Sequence, residues 1–240
     1  MLGTQNAERA TDAAADHAGA RHVGAAAKGI VIVGTDGAGR EAHQYVLDTL
    51  GGDPGYYVKG FLDDSPTELE PFGIEEPLLG NTFDYQPDAD DRIVIACGNP
   101  QNRKQMASRL ASRGATFLTV IHPRAYVAPT ARIGAGCILA PYSTVGARAT
   151  LGDHCVLWFY ASVGHDATVG DCCRFSPFAV TNGGSVLEEG VFLGAHAVVN
   201  PDQVVGAGSR VAAGSVVYRR VPAGSFVTGN PAKARSQWQW

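Results

Sequence analysis

From Ile121 to Val217 an apolar residue returns at every sixth position, running Val127, Ile133, Leu139, Val145, Leu151, Leu157, Val163, Val169 and Phe175. After Thr181, the single polar residue on the beat, it continues Leu187, Leu193, Val199, Val205, Val211 and Val217. Four positions after each beat from Ile121 to Thr181 the residue is small, as at Ala125, Ala131, Cys137, Ser143, Ala149 and Cys155. Glycine follows the aliphatic residue at Gly134, Gly146, Gly152, Gly164, Gly170, Gly194 and Gly206. A period of six belongs neither to a helix nor to an alternating strand, so the pattern predicts a repeat architecture. Short strands that turn every six residues point one large and one small side chain inward per hexad. Three hexads close a triangular coil, and successive coils pair along their strands at ~4.8 Å. That is a parallel β-helix over residues 121–220, with the glycines expected to supply turn conformations that a Cβ would penalise.

Upstream the pattern changes to alternating strands and helices. GIVIV after Lys28 predicts a strand, GTDGAGRE a glycine-rich turn and EAHQYVLDTL an amphipathic helix. VKGFLDD is a second strand ending on Asp63 and Asp64, and RIVIACGN is another. PQNRKQMASRLASRG follows as a helix, with Pro100 near its start and Gly114 at its end. ATFLTVIHP is a last strand that feeds the coils. Residues 29–120 therefore predict a small, Rossmann-like α/β domain with a parallel sheet, whose ligand crevice lies at the carboxyl ends of the strands. Residues 1–28 predict a flexible or marginally helical tail, and residues 221–240 a cap and C-terminal tail.

Composition narrows the function. A formal net charge of -4 over 240 residues implies neither nucleic acid nor a membrane surface as partner. No apolar run is long enough for a signal peptide or a membrane span, which places the chain in the cytoplasm. The five cysteines form no C-x-x-C pair and have no metal-ligand spacing. Cys137, Cys155 and Cys173 fall on inward positions and read as packing residues in a reducing compartment.

Gly34, Gly37 and Gly39 occupy the first strand–helix turn, where backbone amides at a helix N-terminus can cradle a phosphate. Asp63 and Asp64 end the next strand, where carboxylates accept hydrogen bonds from a ribose or a base edge. Asn99 lies in the loop after the third strand, on the same edge of the sheet. In the repeat, His165 sits on a turn, two residues after an inward position, and is followed by Asp166. A histidine there suits a general base for acyl transfer to an amine or hydroxyl. Such transfer also needs donors for an oxyanion, and TNGGS (residues 181–185) offers backbone amides in a glycine-rich break. His154 and His196 are not followed by an acidic residue as His165 is, and read as structural or cofactor-edge residues. His122 precedes Pro123 and reads as a linker residue.

The repeated [LIV]-G-x4 hexads ending in VPAGSFVTGNPAKA, together with the glycine turn, the strand ending in DD and the GN-x3-R loop, resemble the NeuD/PglD-type sugar acyltransferases. The resemblance covers about residues 29–235. It implies a left-handed β-helix, acetyl-CoA as co-substrate, no metal and a homotrimer. It further implies transfer of an acetyl group to the amine of a nucleotide-linked amino sugar in surface glycan biosynthesis, or to a sialic-acid-like sugar hydroxyl. His165 matches the family's general base, Asp166 its acidic assistant and Gly183 the amide that faces the thioester carbonyl. Amides near Ala195 and Ala213 match the pantetheine groove, and Lys233 is a candidate contact for a CoA phosphate. The chain departs from the family at Asp36, where a carboxylate beside a phosphate works against binding. It departs again at Trp158, where many relatives carry Asn beside the acceptor, and at Arg174, which replaces a His near the acyl group. A zinc carbonic anhydrase on the same fold would need an H-x4-H pair in the repeat, and no two histidines of the repeat have that spacing. A non-catalytic sugar-nucleotide-binding partner is the third class.

Overall fold

The computed structural model describes residues 27–235. The predicted N-terminal tail up to residue 26 and the closing SQWQW lie outside the described residues.

The front domain is a four-stranded sheet in the order β3-β2-β1-β4, all parallel. Its strands are β1 (Lys28–Val33), β2 (Tyr56–Leu62), β3 (Leu78–Gly80) and β4 (Asp91–Ile95). Helix α1 (Gly37–Leu50) follows β1 and α2 (Pro100–Ala111) follows β4. Alternate residues along β1 explain the layering: Ile30 and Ile32 pack with Ala42, Tyr45 and Val46 of α1, while Val31 and Val33 pack with Ala107 and Leu110 of α2. Leu118, Val120, Ile138, Val156 and Trp158 join the cluster on the α1 side, so α1 lies between the front sheet and the repeat domain. The expected last strand divides its allegiance. Phe117 bridges Ile93 of the front sheet, whereas Val120–Ile121 pairs with Ile138–Leu139 and opens the first coil.

The repeat domain is a triangular prism whose three faces are parallel sheets. The first face, against which the front domain packs, begins with Val120–Ile121, the second with Tyr126–Val127 and the third with Arg132–Ile133. Through the named hexads each residue sits above the one 18 positions later, as the pairing of Val156 with Arg174 and the bond from the Ala135 amide to Asp153 (|i−j|=18) illustrate, while the last coil is shorter and pairs Arg210 with Phe226. The beat residues fill the interior. Burial of each inward Val or Leu stabilises by about 1.5–3 kcal/mol, and the sum grows with the number of stacked coils. Thr181 does not break the beat: Val180–Thr181 pairs on both sides, and the buried hydroxyl is satisfied by Ser185. Cys137, Cys155 and Cys173 are free thiols in one interior column, each donating to a carbonyl at 3.1–3.2 Å. The last strand, Lys233–Arg235, caps the first face by pairing antiparallel with Phe226–Thr228.

The expected role of the hexad glycines needs correction. None of Gly134, Gly146, Gly152, Gly164, Gly170, Gly194 and Gly206 has a left-handed φ; that conformation falls two residues later, largely on non-glycines such as Arg148, His154 and Asp166. The glycines are required because the next coil passes too close. A Cβ on Gly164 would lie 2.6 Å from the Asn182 carbonyl carbon and the Gly183 nitrogen. Gly164→Ala should therefore destabilise the chain by about 1–3 kcal/mol through overpacking. Gly52, with nothing near its Cβ position, should tolerate alanine. Calorimetric melting of the two variants tests this, and equal transition temperatures would contradict it.

Candidate active site

The corner between the second and third faces carries the candidate chemistry. It stacks Thr130, Arg148, Asp166, Gly184 and Asp202 in one column and Ala147, His165, Gly183 and Pro201 in the next. His165 is 72% exposed, so its ring is open to solvent on the outside of the prism. Its Nδ1 lies 2.7 Å from Asp166 Oδ2. A carboxylate only accepts, so Nδ1 holds the proton and the neutral ring keeps its lone pair on Nε2. Arg148, one coil above, donates from Nε to Asp166 Oδ1 at 2.6 Å, and its own backbone amide donates to Thr130 Oγ1 at 3.0 Å. Hydrogen bonds from His165 and then Arg148 hold the Asp166 carboxyl below its ordinary range. Arg148 is the site residue that sequence reasoning missed, although counting one coil back from Asp166 would have found it.

Gly183 lies directly beneath the imidazole. A Cβ there would sit 2.5 Å from His165 Cε1 and Nε2, so only glycine allows the ring to rest over this backbone. Among the described residues the Gly183 N–H donates to no protein group, whereas the neighbouring Gly184 N–H is bonded to His165 O. The result is a lone pair and a spare amide donor on adjacent coils of one corner. Further along the same edge, where the chain leaves Val216–Val217, an open cleft of about 510 Å³ is lined by Tyr218, Arg219, Asn230, Pro231, Ala232 and Lys233.

The other expected residues lie elsewhere. Ala195 and Ala213 occupy the corner between the first and second faces, so one chain does not bring them to Gly183. On that corner Tyr142, Tyr160, Phe178 and His196 form a continuous stack with centroids 4.7–5.0 Å apart. His154 is on the third corner, edge-on to Phe117, where burial lowers its pKa. Among the described residues no group of His, Cys, Asp or Glu is arranged to hold a metal. His122 is more than a linker: it is buried, and its Nε2 meets Asp48 at 3.1 Å. Trp158 is 4% exposed and packs against Tyr45 of α1.

In the front domain, Gly34 takes a φ of 118° and Gly39 packs against its carbonyl, where a Cβ would overlap. Gly37 opens α1. Asp36 caps that helix, accepting from Ala38 N and Gly39 N, so the amides expected to cradle phosphate are already engaged. Asp63 ties the turn together by accepting from Thr35 N and Oγ1, both at 2.7 Å. Asp64 accepts from Thr82 and from Arg109 Nη1 at 3.2 Å. Asn99 caps α2. Arg174 extends along the first face beneath the next loop and donates to Gly98 O at 2.7 Å.

An α/β front domain on a hexad β-helix, with a histidine–carboxylate pair over a bare glycine amide, defines a β-helix acyltransferase. Residues 29–110 match the PglD N-terminal domain family. Over 211 residues the chain is 31% identical to a GDP-perosamine N-acetyltransferase of Escherichia coli O157:H7, spanning 84% of this chain and 94% of that protein. Among solved structures it is similar to PerB from Caulobacter crescentus in complex with CoA and GDP-perosamine, with a TM-score of 0.78 and 27% identity over 87% of this chain and 97% of that one. It is also similar to the acetyltransferase domain of PglB from Neisseria gonorrhoeae in complex with acetyl coenzyme A, with a TM-score of 0.77 and 28% identity over 87% of this chain and all (100%) of that one. The chain belongs to the NeuD/PglD-type sugar acyltransferase family.

Because the imidazole rests on Gly183, Gly183→Ala should lower kcat about tenfold or more by displacing the ring. The far-ultraviolet circular dichroism should remain that of the parent. Unchanged kcat in a folded variant would contradict the stacking.

Proposed function

We propose that this chain transfers an acetyl group from acetyl-CoA to the amine of a nucleotide-linked amino sugar, in the cytoplasm, as a step of glycan biosynthesis. The observation that carries the reading is the His165–Asp166 pair poised above the Gly183 amide. His165 Nε2 removes a proton as the amine attacks the thioester carbonyl. Asp166, itself anchored by Arg148, stabilises the imidazolium that forms. The Gly183 N–H donates to the oxyanion, and its collapse expels the CoA thiolate, which takes up the proton from His165. The amine attacks directly, so no cysteine is needed as nucleophile. The E. coli relative is an N-acetyltransferase of a GDP-linked sugar, which favours an amine over a hydroxyl as acceptor.

CoA lies along the His165 corner in this reading. The thioester sits at Gly183, and the phosphates reach toward the cleft lined by Arg219 and Lys233. Arg219 is three coils below His165, about 14 Å at the inter-coil spacing. The front domain covers the first face, and His165 projects from the corner opposite that face. A sugar held by the front domain of one chain therefore cannot meet the His165 of that chain. The working assembly is a homotrimer in which the corner of one copy faces the first face of the next. The same arrangement would bring a neighbour's Ala195 and Ala213 beside the pantetheine arm.

Release of CoA thiol with UDP-, GDP- and dTDP-linked amino sugars measures the reaction. His165→Ala should lower kcat by about 10²–10⁴, with sugar-nucleotide affinity retained. Full turnover in that variant would remove His165 from the mechanism. Light scattering should give the mass of three chains, and a fully active monomer would defeat the shared site.

A further inference from the structure

The carboxylate that orients His165 is itself open to solvent. The Asp166 side chain is 37% exposed, so water competes for both of its oxygens and packing does not fix its rotamer. To direct a histidine ring from such a place, it needs a second partner. The coil below offers none, since Gly184 has no side chain and Asp202 carries the same charge. The coil above offers Arg148.

The repeat itself delivers that partner. Arg148 and Asp166 stand 18 residues apart and share the left-handed conformation, with φ of 58° and 59°. Turn residues with matching backbone angles on successive coils project side by side, so the guanidinium edge runs along the carboxylate. Nε and Nη2 both approach Oδ1, at 2.6 and 2.5 Å, which leaves Oδ2 to His165 Nδ1 at 2.7 Å. Among the described residues these are the only side-chain partners of the Asp166 carboxylate. Arg148 is pinned in turn by its backbone amide, which donates to Thr130 Oγ1. A planar fork thus holds one oxygen and reserves the other for the ring.

That reservation matters because a neutral imidazole has two tautomers. A fixed acceptor at Nδ1 keeps the proton there and the lone pair on Nε2. If the acceptor swings away, the ring can carry its proton on Nε2 instead, and that nitrogen then takes no proton from an amine.

We propose that Arg148 is a positioning residue for acyl transfer: by occupying Oδ1 it turns Oδ2 to His165 and selects the tautomer that can act as base. This rests on the reading of His165 given above. Arg148 acts through Asp166, so its loss slows the chemical step without weakening either substrate.

Steady-state kinetics with acetyl-CoA and the UDP-, GDP- or dTDP-linked amino sugar that the parent acetylates fastest test this. Arg148→Ala should lower kcat about tenfold, an orientational loss, while both KM values stay within about twofold. Arg148→Lys, which restores the charge without the planar fork, should give an intermediate kcat. In an Asp166→Asn background Arg148→Ala should cost nothing further. An exposed ion pair adds little stability, so the variants should melt with the parent. Nitrogen-15 NMR above the ordinary titration range of histidine, with His165→Ala to assign the signal, reads the ring directly. The parent should carry its proton on Nδ1, and Arg148→Ala should show both tautomers. Either an unchanged kcat or an unchanged tautomer in folded Arg148→Ala overturns the proposal and leaves His165 as the base. A raised KM with kcat held also overturns it, by putting Arg148 on a substrate. So does an equal loss in the Asp166→Asn background, which would route its effect past the carboxylate. A parent that acetylates none of the three sugar nucleotides overturns the acetyltransferase reading instead, and the tautomer then decides the role of Arg148.

Discussion

The stacking of each coil on the one 18 residues later governs this molecule. Once the inward beat fixes the register, residues far apart in sequence become vertical neighbours at strand spacing. Arg148 then stands over Asp166, His165 over Gly183 and Arg174 over Phe192 and Arg210. None of these contacts requires a local turn motif. They are side effects of a repeat whose primary job is to bury aliphatic side chains, and that rigid core holds an exposed imidazole in place.

The front domain exploits the same regularity differently. Helix α1 spreads Ala42, Tyr45, Val46 and Leu50 over Val120, Ile138, Val156 and Trp158, an apolar contact that locks the domain to one face. Where this apolar strip ends, the face turns cationic under the carboxyl edge of the sheet, with Arg103 as its buried anchor. His165 is on the far corner, a separation that the proposed trimer would close.

Much of this was legible in the sequence. The six-residue beat fixed the β-helix, and strand–helix alternation fixed the parallel sheet, because both are periodic signals that tertiary context cannot easily override. His165 and Asp166 were legible from their place on a turn, and Gly183 from the resemblance; that Gly183 lies under His165 was shown by the structure. The hexad glycines were misread, since close approach of a neighbouring coil leaves no mark distinct from turn propensity. Asp63, Asp64 and Asn99 were found at the expected edge, but their hydrogen bonds to Thr35, Thr82 and the α2 amides depend on loop geometry that no period encodes. Arg174 was singled out as a departure from the family, but its reach to Gly98 could not be read, because outward positions of a repeat are free to vary and only the placement of the front domain shows which of them are covered.

The claim on which the account turns is that His165 of one copy serves a sugar held against the first face of another. Refolding His165→Ala chains together with Ala212→Trp chains, which carry a bulky side chain on the first face, tests it most directly. Each variant alone should be nearly inactive. A one-to-one mixture should regain about a quarter of the parent activity, the fraction of sites in a closed trimer that draw an intact corner and an intact face from adjacent copies. A mixture no more active than its components would contradict the account.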